Sequence, residues 1–131
     1  RTAKQKLATG GFPDSDLATV DAGSVDSKAV FTAAEKKDAL ALSILDGAVS
    51  ALAVGLTNVV HLFNPDMIVL GGGVTDGLVK LDLLPEIDRR IRERAMSELH
   101  KEFRLTSARL GDSVGLAGAA ALVWDHLGAD E

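Results

Sequence analysis

The sequence has no cysteine among its 131 residues, and this absence excludes disulfide bonds and thiolate metal sites. A chain without cysteine suits a reducing compartment, so we expect a cytoplasmic location. Aromatic residues are also scarce at 4%, whereas apolar residues make up 47% of the chain. A core with so few rings must be built from aliphatic side chains, which favours helices packed on a small sheet.

Positive charge is in the minority, with 14 Lys and Arg against 19 Asp and Glu and a net charge of −5. This balance argues against nucleic-acid binding by this segment and against binding to an anionic membrane. Residues 1–7 are basic and polar, and no apolar run follows them, so we predict no secretory signal. The chain begins with Arg rather than Met, and we expect it to be a fragment of a longer protein.

The length fits one domain with a single core. Residues 1–26 are typical of a helix end followed by a flexible loop rich in Gly, Asp and Ser. The folded part is then residues 27–131. It opens with a short helix that Asp26 or Ser27 caps and that ends near Lys36.

A long helix over residues 39–63, capped by Asp38, is the main predicted element. It is apolar nearly all round and long enough to span a membrane. Asp46, Asn58 and His61 interrupt the apolar run, and an ionisable residue is costly in a bilayer, so we expect a core helix and no membrane contact. A stripe of small residues on this helix can receive another helix, a sheet or a second subunit. The stripe consists of Gly47, Ala48, Ala51 and Gly55.

Three consecutive glycines follow a short apolar run, and the rest of the chain is arranged around them. Asn64-Pro65 is a turn, residues 67–70 have the character of a buried strand, and Gly71, Gly72 and Gly73 end that strand. The triplet fails the dinucleotide fingerprint, which needs another glycine three residues further on, and it lacks the Lys-Ser/Thr of a P-loop. An anion-binding loop at a helix start and a tight structural turn both remain compatible with these residues.

One helix is predicted after the triplet, capped by Asp76 or Asp82, with Pro85 in its first turn. Acidic and basic residues on this helix recur at i,i+4 spacing, which favours a solvated helix face over a nucleic-acid surface. The three pairs are Glu86–Arg90, Asp88–Arg92 and Arg89–Glu93.

A second strand is predicted over residues 102–109, then a glycine-bearing turn over residues 111–115 and a last helix over residues 115–127, capped by Asp112 or Ser113. The order helix, strand, helix, strand, helix predicts an α/β fold with two parallel strands. The two glycine turns then lie side by side, which strengthens the anion-binding interpretation. Because two strands do not form a stable open sheet alone, we expect exposed strand edges to drive association into a homo-oligomer.

Catalytic and metal-binding patterns are weak. The histidines His61, His100 and His126 are far apart and never at i,i+4 spacing, so we predict no metal site and no catalytic residue in this chain. His61 is better interpreted as a partner of the helix C-terminal dipole. Asp76 and Asp112 are compatible with a magnesium or base role, but helix capping explains both more simply.

The spacing of these motifs resembles one protein family. The segment N-P-D-M-I-V-L-G-G-G-V follows a helix ending N-V-V-H-L-F, and L-G-D-S-V-G-L-A-G-A-A-A-L comes about forty residues later. The combination resembles the C-terminal segment of the ROK family (bacterial repressors, uncharacterised reading frames and sugar kinases) over residues 25–127. The resemblance implies an actin/hexokinase-like fold of two ribonuclease H-like lobes, with this chain as the end of the second lobe.

The resemblance also implies a function. Family members bind a hexose or amino sugar between the lobes, and the kinases use ATP and magnesium to phosphorylate a sugar hydroxyl. Gly71, Gly72, Gly73 and Val74 match the part that touches the nucleotide. The sequence lacks the family's Asp-Gly-Thr phosphate loop, Asn-Asp pair, Glu-x-Gly-His sugar motif and Cys-rich zinc loop. We therefore predict that this chain cannot phosphorylate a sugar unaided.

Three interpretations remain open, two of the whole protein and one of this segment alone. The whole protein is a sugar kinase, or it is a transcriptional regulator whose DNA-binding helix-turn-helix lies upstream and whose sugar lobe senses an effector. The complete glycine triplet favours the kinase, since a sensor that does not use ATP has less need of it. The third interpretation is an interaction module that satisfies its apolar helix and missing strands by self-association.

Overall fold

The computed structural model describes residues 11–12, 14–19, 25–98 and 103–128. The described elements, in chain order, are a 3₁₀ turn Asp16–Thr19, α1 Ser27–Glu35, α2 Ala39–Phe63, β1 Met67–Leu70, α3 Gly73–Lys80, α4 Leu84–Arg94, β2 Arg104–Ser107, a second 3₁₀ turn Gly111–Ser113 and α5 Val114–Gly128. The predicted helix end in residues 1–10 lies outside the described residues.

The sheet consists of β1 and β2, which run parallel and pair from Met67 with Arg104 to Leu70 with Ser107. The predicted α/β fold with two parallel strands is therefore confirmed. Alternate residues of β1 face opposite sides, so Ile68 is buried against the helices whereas Val69 is 55% exposed on the other face.

The connection between the strands differs from the prediction, because it contains two helices rather than one. Helix α3 begins at Gly73, inside the glycine triplet, and the chain turns between α3 and α4 at Asp82, whose φ is 52°. The predicted caps were wrong. Asp76 lies in the first turn of α3 after the cap residue Gly72, and α4 starts after Leu83. Pro85 does occupy the first turn of α4, as predicted.

The long helix α2 has the predicted bounds, and local chemistry explains both ends. At its start, the Asp38 carboxylate accepts a hydrogen bond from the Ala41 N–H at 2.8 Å. At its end, Asn64 adopts a left-handed conformation with φ 41°, and its N–H donates to the Val60 carbonyl. Helix α1 is likewise capped by the Asp26 side chain, which accepts from the Ala29 N–H at 2.8 Å.

Two apolar clusters hold the described part of the chain together. One joins the C-terminal half of α2 to β1, α3 and α4. Its buried members are Val49, Ala53, Val60, Ile68, Leu78, Ile87, Ile91 and Phe103. The other joins the first 3₁₀ turn and α1 to the N-terminal half of α2. Its buried members are Leu17, Val30, Ala33, Ala34, Leu40, Ala41 and Leu45. Residues 14–19, which fall within the predicted flexible loop, are anchored through Leu17, which is 2% exposed.

Helix α2 is buried along one face only, although its sequence is apolar all round. Apart from its chain neighbours and the backbone of α2 itself, a Cβ built on Gly47 or Gly55 meets no described atom within 4 Å, so the stripe of small residues is open. Among the described residues, α2 is the one helix long and apolar enough to cross a membrane, and 28% of its apolar window is buried. Its predicted role at a subunit interface remains a prediction.

Helix α5 follows directly from the second 3₁₀ turn and begins one residue before its predicted start. Its main contacts are with that turn. Its large apolar side chains are therefore exposed to solvent. They are Val114, Leu116, Leu122, Val123, Trp124 and Leu127.

The three predicted ion pairs of α4 are confirmed. The predicted solvated face holds for Arg89, which is 54% exposed, but Arg90 is 18% exposed and bonds to α2. The Arg90 guanidinium donates to the Asp46 carboxylate at 2.5 Å and also to the Ser50 hydroxyl. Arg92 similarly donates to the Phe103 carbonyl at 3.0 Å and stacks over the Phe103 ring. These arginines fasten α4 to its neighbours.

Candidate functional site

The glycine loop, which we define as residues 71–74, lies where β1 ends and α3 begins. Gly72 is the cap residue of α3 and has φ 96° and ψ 166°, a conformation that a side chain disfavours. Apart from its chain neighbours and the backbone of its own helix, a Cβ built on Gly72 or Gly73 meets no described atom within 4 Å, so the outer side of the loop is open to a ligand. The non-helical segment after β1 is shorter than predicted, because Gly73 already belongs to α3.

The loop presents backbone donors at a helix start. The N–H groups of Thr75 and Asp76 point to the Gly72 carbonyl at 2.9 Å and 3.4 Å. The N–H groups of Gly73 and Val74 come earlier in the first turn, where a helix offers no acceptor of its own. They therefore form the positive end of the helix dipole and can hold an anion such as a phosphate group.

The second glycine turn lies beside this loop, as the sequence predicted. The Ala108 N–H, just after β2, donates to the Leu70 carbonyl at 2.7 Å. The Ala108 Cβ lies 3.5 Å from a Cβ built on Gly71, and α3 contacts the turn Gly111–Ser113. The parallel pairing of the strands thus brings two helix starts to the same edge of the sheet.

An apolar cavity of about 310 Å³ adjoins the loop and was not predicted. Val74 and Leu78 of α3 form one wall, Val30 and Phe31 of α1 form another, and α2 forms the floor. Phe31 packs against Gly77 so closely that a Cβ built there would lie 2.5 Å from the ring. The sequence contained the apolar positions of α1, but nothing in it indicated that α1 packs beside the glycine loop.

A second cavity, of about 430 Å³, is polar and lies between residues 11–16 and the turn that joins α1 to α2. Its central carboxylate, Asp38, is already satisfied by the Ser15 hydroxyl at 3.0 Å, the Asp16 N–H at 2.8 Å and the cap bond. Burial would raise the pKa of Asp38, but these hydrogen bonds outweigh it and lower that pKa. Asp38 therefore anchors residues 14–19 to the start of α2.

The remaining candidate residues do not assemble into a metal centre. Among the described residues, no group of three or more His, Asp or Glu side chains is placed to hold a metal ion. The Nε2 atom of His61, in the last turn of α2, accepts a hydrogen bond from the Met96 N–H at 3.2 Å. His100 and the side chain of Asp112 lie outside what the structure describes, so the expectations for them remain predictions.

Comparison with known proteins assigns this arrangement to a family. Residues 15–126 match the family model described as the ROK family. The chain is 30% identical over 104 residues to a glucokinase from Thermotoga maritima, a match that covers 79% of this chain and 32% of the glucokinase.

The fold is also found in solved structures. A candidate sugar kinase from Cytophaga hutchinsonii superimposes with a TM-score of 0.75 at 24% identity, covering 93% of this chain and 39% of that one. A ROK family transcriptional regulator, a homologue of the E. coli MLC protein, superimposes with a TM-score of 0.64 at 27% identity, covering 80% of this chain and 26% of that one.

The chain spans about a third of the length of the curated relatives that it matches. The family match nevertheless extends over most of its residues, and the fold agrees with solved structures. The chain belongs to the ROK family.

Proposed function

We propose that this chain is the nucleotide-facing C-terminal part of an ATP-dependent sugar kinase of the ROK family. The observation that carries the proposal is the glycine loop, where Gly72 holds a conformation suited to glycine and the outer side is open. The apolar cavity beside Val74 supports it, because a nucleobase needs an apolar slot close to the site that holds its phosphates.

In this proposal, the chain binds and orients the nucleotide. The N–H groups of Gly73 and Val74 donate to phosphate oxygens, and the walls of the cavity, including Phe31 and Leu78, exclude water from the base. ATP supplies the phosphoryl group when it is bound. Catalysis of phosphoryl transfer is mostly positioning and charge stabilisation, so a rigid backbone cradle is a substantial contribution.

Magnesium, which accompanies ATP in such transfers, has no cluster of carboxylates to hold it among the described residues. Asp76 is the carboxylate nearest in sequence to the glycine loop, and it stands alone in the first turn of α3. We propose that the metal is held chiefly by the nucleotide phosphates and by the part of the protein that binds the sugar.

The general base and the sugar-binding groups are assigned to another part of the protein. The 131-residue sequence contains no Asp-Gly-Thr, Asn-Asp or Glu-x-Gly-His motif. The chain alone is therefore proposed to be inactive as a kinase, and the hexose or amino sugar is proposed to bind outside it. A cytoplasmic location follows from this role, because the proposed co-substrate ATP is a cytoplasmic metabolite.

A second function has support of its own, because one of the solved structures that share the fold is a ROK transcriptional regulator. In that case this segment belongs to a sensor of a sugar effector, and DNA is bound by a separate upstream domain. The two functions differ in their need for nucleotide, since only the kinase requires the glycine loop to hold ATP.

Association with other protein surfaces forms part of the proposal. β1 exposes Met67 and Val69 on the face opposite the core, and α5 exposes a row of large apolar residues. Apolar surface of this extent favours contact with a second copy of the chain, which is the predicted homo-oligomer.

Replacing Gly72 with Val tests the nucleotide assignment. The added Cβ strains a backbone at φ 96° and covers the outward N–H groups, so binding of MgADP to the chain is expected to be lost. Gly55→Val is the matched control, because Gly55 lies on the open face of α2. Calorimetry should show binding by the wild type and by the control. Equal binding by Gly72→Val would remove the basis for the nucleotide site and favour the regulator.

A further inference from the structure

We infer that Thr75 is the positioning residue of the glycine loop and aims its backbone donors at the phosphates of the nucleotide. The inference rests on the proposed nucleotide-binding function. Thr75 is the third residue of α3 and is only 7% exposed, so its side chain points into the fold and not toward a ligand. Its role is to hold the residues that would touch the ligand.

Thr75 binds two of the carbonyl groups of the loop. Its hydroxyl donates to the Gly71 carbonyl at 3.1 Å, and its N–H donates to the Gly72 carbonyl at 2.9 Å. One residue therefore holds two consecutive peptide units on the inner side of the loop. It holds the first through its hydroxyl and the second through a backbone bond to the Gly72 carbonyl, which the Asp76 N–H shares at 3.4 Å. Glycine would otherwise leave these peptide units free to rotate, because it populates positive and negative φ about equally.

The direction of the carbonyl groups determines the direction of the N–H groups. In a trans peptide the C=O and the following N–H point to opposite sides of the chain, and the described residues contain no cis peptide bond. Turning the Gly71 carbonyl inward therefore turns the Gly72 N–H outward. The same holds for the Gly72 carbonyl and the Gly73 N–H. Thr75 thus arranges two donors before any anion arrives, the Gly72 N–H and the Gly73 N–H, of which the second is already assigned to the phosphates.

Ala108, just after β2, restricts the position of the first residue of the loop from the side of the neighbouring strand. The Ala108 Cβ would lie 3.5 Å from a Cβ on Gly71, and the Ala108 N–H bonds to the Leu70 carbonyl at 2.7 Å. The start of the loop is therefore fixed by β2. The Thr75 hydroxyl fixes the next peptide unit through the Gly71 carbonyl.

The test compares two threonine hydroxyls of the same kind. Thr57 in α2 is 5% exposed, and its hydroxyl donates to the Ala53 carbonyl at 2.7 Å, four residues back, just as Thr75 donates to Gly71. Thr75→Val and Thr57→Val each delete one buried hydroxyl and preserve the shape of the side chain. Thr75→Ser keeps the hydroxyl of the loop. If the loss of a buried hydroxyl acted only by lowering the free energy of unfolding, both valine variants would change the binding of MgADP to a similar extent.

The measurement is nuclear magnetic resonance of the ¹⁵N-labelled 131-residue chain, with and without MgADP. In Thr75→Val, we expect the Gly72 and Gly73 amide resonances to move in the absence of nucleotide and the Kd for MgADP to rise about tenfold. Thr75→Ser should restore both properties. Thr57→Val should leave the Gly72 and Gly73 resonances and the Kd unchanged.

Three results would overturn the inference. They are unchanged Gly72 and Gly73 resonances in Thr75→Val, wild-type binding of MgADP by that variant, or equal weakening of binding in Thr57→Val. If the wild-type chain binds no MgADP, the proposed nucleotide function fails. The resonances measured without nucleotide still decide, in that case, whether Thr75 positions the loop.

Discussion

The contact between Gly77 and Phe31 allows one prediction to be developed in detail. A Cβ on Gly77 would lie 2.5 Å from Cδ2 and Cε2 of the Phe31 ring and 2.6 Å from its Cγ. Real side chains do not approach so closely, and Cγ lies on the Cβ–Cγ axis about which the ring turns, so rotation of the ring alone does not relieve the clash. Gly77→Ala must therefore displace α1 from α3.

The size of the effect comes from two opposing contributions. Overpacking a core by one methyl group costs about 1–3 kcal/mol, whereas Gly to Ala in a helix gains about 1 kcal/mol. Gly47→Ala has only the gain in helix propensity, because, apart from its chain neighbours and the backbone of α2 itself, its Cβ meets no described atom within 4 Å. The free energy of unfolding should thus be about 1–3 kcal/mol lower for Gly77→Ala than for Gly47→Ala.

Urea denaturation followed by circular dichroism measures both variants in the same chain. Combining Gly77→Ala with Phe31→Leu should recover part of the loss, because leucine vacates the position of the ring, and a double-mutant cycle isolates this coupling. Equal stability of Gly77→Ala and Gly47→Ala would refute the packing of α1 on α3. The apolar cavity would then lose its Phe31 wall.

Two other predictions concern acid stability and association. The Arg89 and Arg90 guanidinium groups lower the pKa of Glu86 to about 2, so its stabilising effect should be complete above about pH 4.5 and lost as the pH falls toward 2. Glu86→Gln should flatten that part of the stability profile measured by urea titration at each pH, and an unchanged profile would contradict the ion-pair account. Light scattering of the chain should show concentration-dependent association through the exposed α5, and Trp124→Ser should weaken it, whereas a monomer at high concentration would contradict the predicted oligomer.

Local signals predicted the long helix and the strands well. Asp38 and Asn64 determine where α2 begins and ends through hydrogen bonds to residues within four positions, and such caps are visible in a sequence. The parallel order of β1 and β2 followed from the helices between them, and it correctly placed the two glycine turns at one edge.

The start of α3 could not be predicted in this way. Gly72 caps that helix with its backbone alone, so the sequence offers no polar cap where the helix begins. The break at Asp82 also lacks glycine or proline at the turn itself, and Asp82 takes the left-handed conformation without either. Asp76 and Asp82 looked like caps because Asp is a preferred N-cap residue and both lie near the expected helix start.

The cavity beside the loop depends on contacts far apart in the chain. Phe31 and Gly77 are separated by α2 and β1, and only their packing creates the apolar wall next to Val74. Hydrophobic periodicity identifies which face of a helix is buried, but it does not identify the partner. The role inferred for Thr75 likewise could not be predicted from the sequence, because it depends on the direction in which two carbonyl groups point.

The central claim is that the glycine loop faces a nucleotide, and titration of the ¹⁵N-labelled wild-type chain with MgADP tests it most directly. The proposal predicts that the amide resonances of Gly72, Gly73 and Val74 shift together, along with those of Phe31 and Leu78 around the cavity. Saturable shifts at these positions would support a nucleotide site formed by β1, α1 and α3. No shift at millimolar MgADP, or shifts confined to other parts of the chain, would contradict it.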